Sequence, residues 1–295
     1  SNQEIRDDES RLFNLMATPG YPELIGEMIS LNNDRGLSAF ILGDSPMRLT
    51  PDATSLQNWS TNVNLAVEDN DNGLVSTDEY LGVFYPSGFT SDNFGNNVVV
   101  PASHMMLRTI ALSDQVSFPW FAPAGTRRGG ITNATSTGYI NSEGEFVATA
   151  LNEGQRDTLY TNNVNPITFI TGAGLVNYGQ KTRFAGSSAL DRINVARLVI
   201  YLRSQLNKLA RPYVFEPNDK ITRDEIKAQA ESLLLELVGN RAIFDFLVVC
   251  DESNNTPTRI DRNELYLDIA IEPVKAVEFI YVPLRLKNTG EIAGL

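Results

Sequence analysis

The last third of this chain switches repeatedly between two hydrophobic periods, and that switching restricts the fold more than any other feature. Residues 188–209 carry Ile193, Ala196, Ile200 and Leu209 on or near one helical face, and residues 222–238 form a second helical run. Ser188-Ala189-Leu190-Asp191 and Thr222-Arg223-Asp224-Glu225 both read as capping-box starts, and Gly239 reads as the stop of the second helix. Residues 244–250 then read as a core strand. Leu265, Leu267, Ile269 and Ile271 alternate with Tyr266, Asp268, Ala270 and Glu272, the period-2 pattern of a half-buried strand. Val277, Phe279 and Tyr281 resume the alternation. Helices and strands interleaved in this order predict an α/β chain with α+β elements, in which mixed β-sheets are flanked by helices.

Two lobes are expected, residues 1–165 and residues 166–295. The first is mixed and loop-rich, with abundant Gly, Asn, Ser and Thr. Its spacing predicts a helix over 22–33, a buried strand over 37–43, a strand over 80–85 ended by Pro86-Ser87-Gly88, and a helix from Pro101 to about Leu112. Residues 118–125 read as an extended, proline-broken segment. The 295 residues suffice for one large or two ordinary cores. A net charge of −12 argues against a direct nucleic-acid partner, because Lys and Arg are interleaved with Asp and Glu instead of gathered in a block. No apolar run approaches the roughly 20 residues needed to cross a bilayer, so membrane insertion is not expected. The lone Cys250 has no partner for an internal disulfide and suits a reducing compartment. The chain begins without Met, and the natural protein is expected to be longer.

The order of segments from Ala189 to Arg197, through Arg211-Pro212-Tyr213-Val214-Phe215-Glu216-Pro217-Asn218-Asp219, to Val248-Val249-Cys250-Asp251 and Ile269–Ile280 resembles the C-terminal domain of contractile-tail sheath proteins. Ala122-Pro123-Ala124-Gly125 followed by Arg128-Gly129, and Tyr178-Gly179-Gln180-Lys181-Thr182, are similar to segments of the same family. The resemblance implies a subtilisin-like three-layer first lobe and a sheath C-terminal α/β domain. It implies a structural subunit that polymerises helically around a tail tube and contracts to drive the tube through the host envelope. The implied partners are further copies of the chain, the tail tube protein, and baseplate and tail terminator proteins. The implied location is the virion tail sheath, with assembly in the host cytoplasm. The end of the chain, with Leu284, Arg285, Leu286, Lys287, Asn288, Ile292 and Leu295, would be an arm that adds a strand to a neighbouring subunit. Arg192, Arg197, Arg203 and Lys208 on the first long helix would face the tube. A static baseplate or capsid component is the alternative.

Patterns that imitate chemistry are outweighed by simpler readings. A subtilase order of Asp, His and Ser can be assembled from Asp69 or Asp71, His104, and Ser187 or Ser188. His104, however, sits in Ser-His-Met-Met where a subtilase has His-Gly-Thr, and a triad is defined by geometry. Residues 172–182 approach a phosphate loop, but Gln180 intrudes before Lys181 and no helix opens after Thr182. One His and one Cys, far apart, make no closed zinc set. The acidic loop around Asp71-Asn72-Gly73 lacks the glutamate that would complete a calcium loop. No catalytic residue, metal or cofactor is expected.

Overall fold

The computed structural model describes residues 3–67 and 70–283. In chain order, helix α1 is Gln3–Arg6, β1 is Leu15–Ala17, α2 is Ile25–Asp34 and β2 is Phe40–Asp44. Next come α3 (Ala53–Ser60), β3 (Leu81–Tyr85), β4 (Ser87–Ser91), β5 (Asn97–Val100), α4 (Ala102–Val116) and α5 (Gly125–Arg128). Then follow β6 (Ser136–Ile140), β7 (Phe146–Ala148), α6 (Glu153–Thr161), β8 (Val164–Ile170) and β9 (Gly174–Asn177). The last elements are α7 (Ile193–Ala210), α8 (Lys220–Gly239), β10 (Ile243–Val249), α9 (Pro257–Asp261) and β11 (Asp268–Pro273).

A five-stranded sheet of order β1-β2-β3-β8-β9 forms the centre. The first four strands run parallel and β9 pairs antiparallel at the edge. Every residue of β2 and β3 is buried, as expected for parallel strands covered on both faces. Phe40, Leu42 and Phe84 point to one layer, where Met105, Met106 and Ile110 of α4 and Ile193, Ala196 and Ile200 of α7 meet them. Ile41, Leu81 and Val83 point to the other, against Ile25 and Met28 of α2, Leu56 and Trp59 of α3, and Leu159 of α6. This is the three-layer lobe. A second, antiparallel sheet of order β5-β4-β6-β7 springs from β3 through Pro86. Its short strands, rich in Gly, Ser, Thr and Asn, carry too little periodicity to be read from sequence.

The third sheet has two strands, β10 and β11, paired antiparallel. Helix α8 lies on it through Ala230, Leu234 and Leu237, joined by Leu198 and Leu202 of α7 and by Trp120. The border expected at residue 165 falls inside β8, and the core around Phe40 draws on both sides of it, with Ile167 and Ile193 in the same cluster. Helix α7 serves both cores, its Ile200 face turned to the large sheet and its Leu198–Leu202 face to α8.

Four local expectations are corrected. Ser188 caps a 3-10 turn over Ala189–Asp191 instead of the long helix, which starts at Ile193. Asp219, not Thr222, caps α8, its carboxylate accepting from the Thr222 N–H at 2.9 Å. Gly239 is the last helical residue, and Arg241 takes the positive φ of the exit. Residues 274–283 carry no strand, so the alternation through Val277, Phe279 and Tyr281 has no ladder partner among the described residues.

Candidate functional site: an open sheet and a pinned segment

Strand β10 was expected as a core strand, but only one face is packed. Val248 is buried, whereas Phe244 and Leu247 stand 68% and 61% exposed on the other side. The reason is topological: nothing among the described residues lies beyond the two-stranded ladder, so both outer edges and one face stay open. Ile269 and Ile271 of β11 turn inward against the α8 core, as the alternation predicts.

From the end of β11 the chain returns across the molecule without regular secondary structure. The Val274 N–H donates to the Ala242 carbonyl, and the Asn194 amide donates to the Val274 carbonyl at 3.3 Å. Glu278 is then gripped by Arg192 through two bonds of 2.5 and 3.2 Å, and Gln180 donates to it at 3.3 Å. The Tyr160 hydroxyl lies against the same carboxylate; burial, then that negative charge, pushes its pKa up. Beyond this anchor Phe279, Ile280, Tyr281 and Val282 are all exposed. Four consecutive apolar residues in water, immediately after an ionic anchor, are a surface that a monomer leaves uncovered. The arm residues Leu284, Arg285, Leu286, Lys287, Asn288, Ile292 and Leu295 lie outside the described residues.

The expected tube-facing stripe on α7 is largely engaged inside the molecule. Arg192 holds Glu278. Arg197, with 3% of its side chain exposed, makes a bidentate pair with Asp114 at 2.5 and 3.0 Å. Arg203 donates to the Leu37 carbonyl at 2.8 Å. Lys208 alone of the four is exposed. The guanidiniums thus tie α7 to α4, to the start of the sheet and to the C-terminal segment, a use invisible while their partners were unplaced.

The residues that imitate chemistry have these local settings, Asp69 lying outside the described residues. His104 is exposed on α4, the Ser188 hydroxyl accepts from the Leu190 N–H, and Asp71 pairs with Arg48 at 3.0 Å. Residues 171–173 are the turn between β8 and β9. Lys181 donates to the Tyr160 carbonyl at 2.8 Å and lies over that ring, so its ammonium faces no loop. The Ala-Pro-Ala-Gly segment is a bridge. The Asn177 amide donates to the Pro123 carbonyl at 2.7 Å, the Asn177 N–H donates to the Gly129 carbonyl at 2.7 Å, and a Cβ on Gly129 would sit 2.7 Å from the Asn177 oxygen. Just upstream, Trp120 stacks on Phe118 and donates to the Asn240 carbonyl at 3.1 Å.

The chain is thus a three-layer α/β body carrying a small open sheet and a pinned C-terminal segment. Residues 186–287 match the model of the phage tail sheath C-terminal domain. The tail sheath protein of Vibrio phage KVP40 is 36% identical over 249 residues, 81% of this chain and 35% of that protein. In fold, the chain is similar to the anti-feeding prophage baseplate (TM-score 0.74, 17% identity, 95% of this chain and 70% of that one). It is also similar to the anti-feeding prophage helical sheath in its contracted state (TM-score 0.70, 17% identity, 93% and 70%). The chain belongs to the phage tail sheath proteins. It spans about a third of the length of the curated relatives it matches.

Proposed function

We propose that this chain is the lattice-forming part of a contractile tail sheath subunit, which polymerises helically around a tail tube and contracts to drive that tube through the host envelope. The observation that carries the reading is the open β10–β11 sheet beside a segment anchored at Glu278 and exposed from Phe279 to Val282. An open edge receives a strand by backbone hydrogen bonding, and alternate side chains fix its register. Each subunit would offer residues 284–295 to a neighbour and accept a neighbour's strand on its own two-stranded sheet. Arg285 and Lys287 would blunt that strand in the free subunit, since charge discourages edge-to-edge aggregation. The Arg192–Glu278 pair would set the direction in which the arm leaves the body.

Contraction in this scheme needs no active site. Burying a further 200 Å² of apolar surface per subunit would release about 5 kcal/mol at about 25 cal/mol/Å², less the desolvation of polar groups. Two stable packings separated by a barrier would then store that energy. The tube contact falls to Lys208 on the exposed side of α7, with baseplate and tail terminator proteins at the ends of the polymer. The subunit would be assembled in the host cytoplasm and reside in the virion tail. Immunogold microscopy of the source particles tests the reading. Gold along the length of the tails, following them as they shorten, supports it; gold confined to a baseplate or head makes this a static virion component.

A further inference from the structure

The segment that follows β11 is fastened to the body at two places of different chemistry. Upstream the fastening uses the backbone: the Val274 N–H donates to the Ala242 carbonyl at 3.0 Å, and the Val274 carbonyl accepts from the Asn194 amide at 3.3 Å. Downstream it is a single side chain. Over residues 275–283, Glu278 is the one residue with a hydrogen bond or ion pair among the described residues. Lys275, Ala276 and Val277 before it and Phe279 to Val282 after it are exposed. A stretch with few buried apolar contacts belongs to the part of a structure that opens locally, ahead of global unfolding. Here the apolar residues face water and a charge does the holding.

The cage around that charge can let go of it. Arg192 donates to the Glu278 carboxylate through Nε at 2.5 Å and Nη2 at 3.2 Å, Gln180 donates at 3.3 Å, and the Tyr160 hydroxyl of α6 bonds to the same group. Arg192 also has a second carboxylate in reach, its Nη1 lying 2.8 Å from Asp191 Oδ2. With Glu278 gone, the guanidinium keeps that partner, and Lys181 keeps the Tyr160 carbonyl and ring. Opening therefore strands no unpaired buried charge, which is the large cost of breaking such a pair elsewhere. Gln180 pulls the other way. It is buried, its Oε1 has no partner, and its Nε2 would lose Glu278, so an unsatisfied amide favours return of the carboxylate. A contact that is preferred yet opens at small cost gives the segment two positions. We propose that Glu278 is a latch: the cage of Arg192, Gln180 and Tyr160 holds residues 275–283 against the body and releases them about Val274 without unfolding either core. Two positions of the segment would serve two lattice packings, and in that use alone the latch rests on the sheath reading.

Nitroxide labels carried on p-acetylphenylalanine at positions 280 and 104, both exposed, read the distance between segment and body by pulsed electron paramagnetic resonance in the free full-length subunit. The wild-type protein should give one narrow distribution. Glu278→Leu, close in size but uncharged, should raise the displaced population roughly tenfold or more and broaden the distribution. Its Tm should stay within about 2 °C of the wild-type value. Arg192→Gln should broaden the distribution from the other side of the pair. A narrow distribution in either variant would overturn the latch, as would a wild-type distribution already broad. A larger fall in the Tm of Glu278→Leu would also overturn it, by making Glu278 part of the packed body. Failure of the wild-type protein to polymerise would leave the latch standing and strike the sheath reading instead.

Discussion

The five-stranded sheet and the two-stranded sheet meet the same physical demand in opposite ways. In the first, β2 and β3 are buried throughout, and helices cover both faces. In the second, α8 covers one face, while the other shows Phe244 and Leu247 to water and both edges lack partners among the described residues. A two-stranded sheet alone is marginal, and its stability here comes from α8, Trp120 and α7 packed beneath it. One region is thus closed by its own helices, whereas the other is stable yet leaves a face and two edges uncovered among the described residues.

The largest test of that contrast is removal of everything after Val282. Subunits of the full-length protein so truncated should fold with an unchanged Tm yet form no polymer by sedimentation or electron microscopy; normal tubes would show that the open sheet is completed by something else. Next comes Phe84→Ala, in the closed sheet, expected to destabilise by about 3–5 kcal/mol in urea unfolding. Asp114→Ala, leaving the buried Arg197 guanidinium without its bidentate partner, should destabilise by about 3 kcal/mol, and Arg197→Ala should do so by less because the Asp114 carboxylate it leaves behind is the more exposed partner. On the open face, Phe244→Ser should change subunit stability by no more than about 0.5 kcal/mol. A loss as large as that of Phe84→Ala would erase the distinction between the regions.

The smallest effect concerns the helix caps, where the two regions should behave alike. Asp52 caps α3, and hydrogen bonds from Thr50 and Ser55 hold its pKa down to about 2. Asp219 caps α8, with a pKa lowered by its bond from Thr222. A depressed carboxylate contributes stability that is present above its unfolded pKa of about 3.9 and lost as pH falls through the folded value. Acid unfolding followed in Asp52→Asn should therefore be shallower below about pH 4, with little change at neutral pH because Asn is also a good cap.

Much of this was legible in the sequence, and the gaps have physical causes. The two long helices and the inward face of β11 follow from periodicity, and the strands expected over 37–43 and 80–85, observed at 40–44 and 81–85, follow from short apolar runs ended by turn residues. The cap of α8 was misread because Thr222 and Glu225 imitate a capping box, whereas Asp219 stands in the first position after Pro217-Asn218 where a helix can begin. The roles of Arg192 and Arg197 could not be read locally, since Glu278 and Asp114 lie 86 and 83 residues away.

Trp120 belongs to the first lobe by position and to the second by packing. Together with Asn177 holding Pro123, it rivets the large sheet to the α8 layer on both sides of one short segment. A body riveted in this way is braced across its two cores, so displacement of one core would carry the other with it.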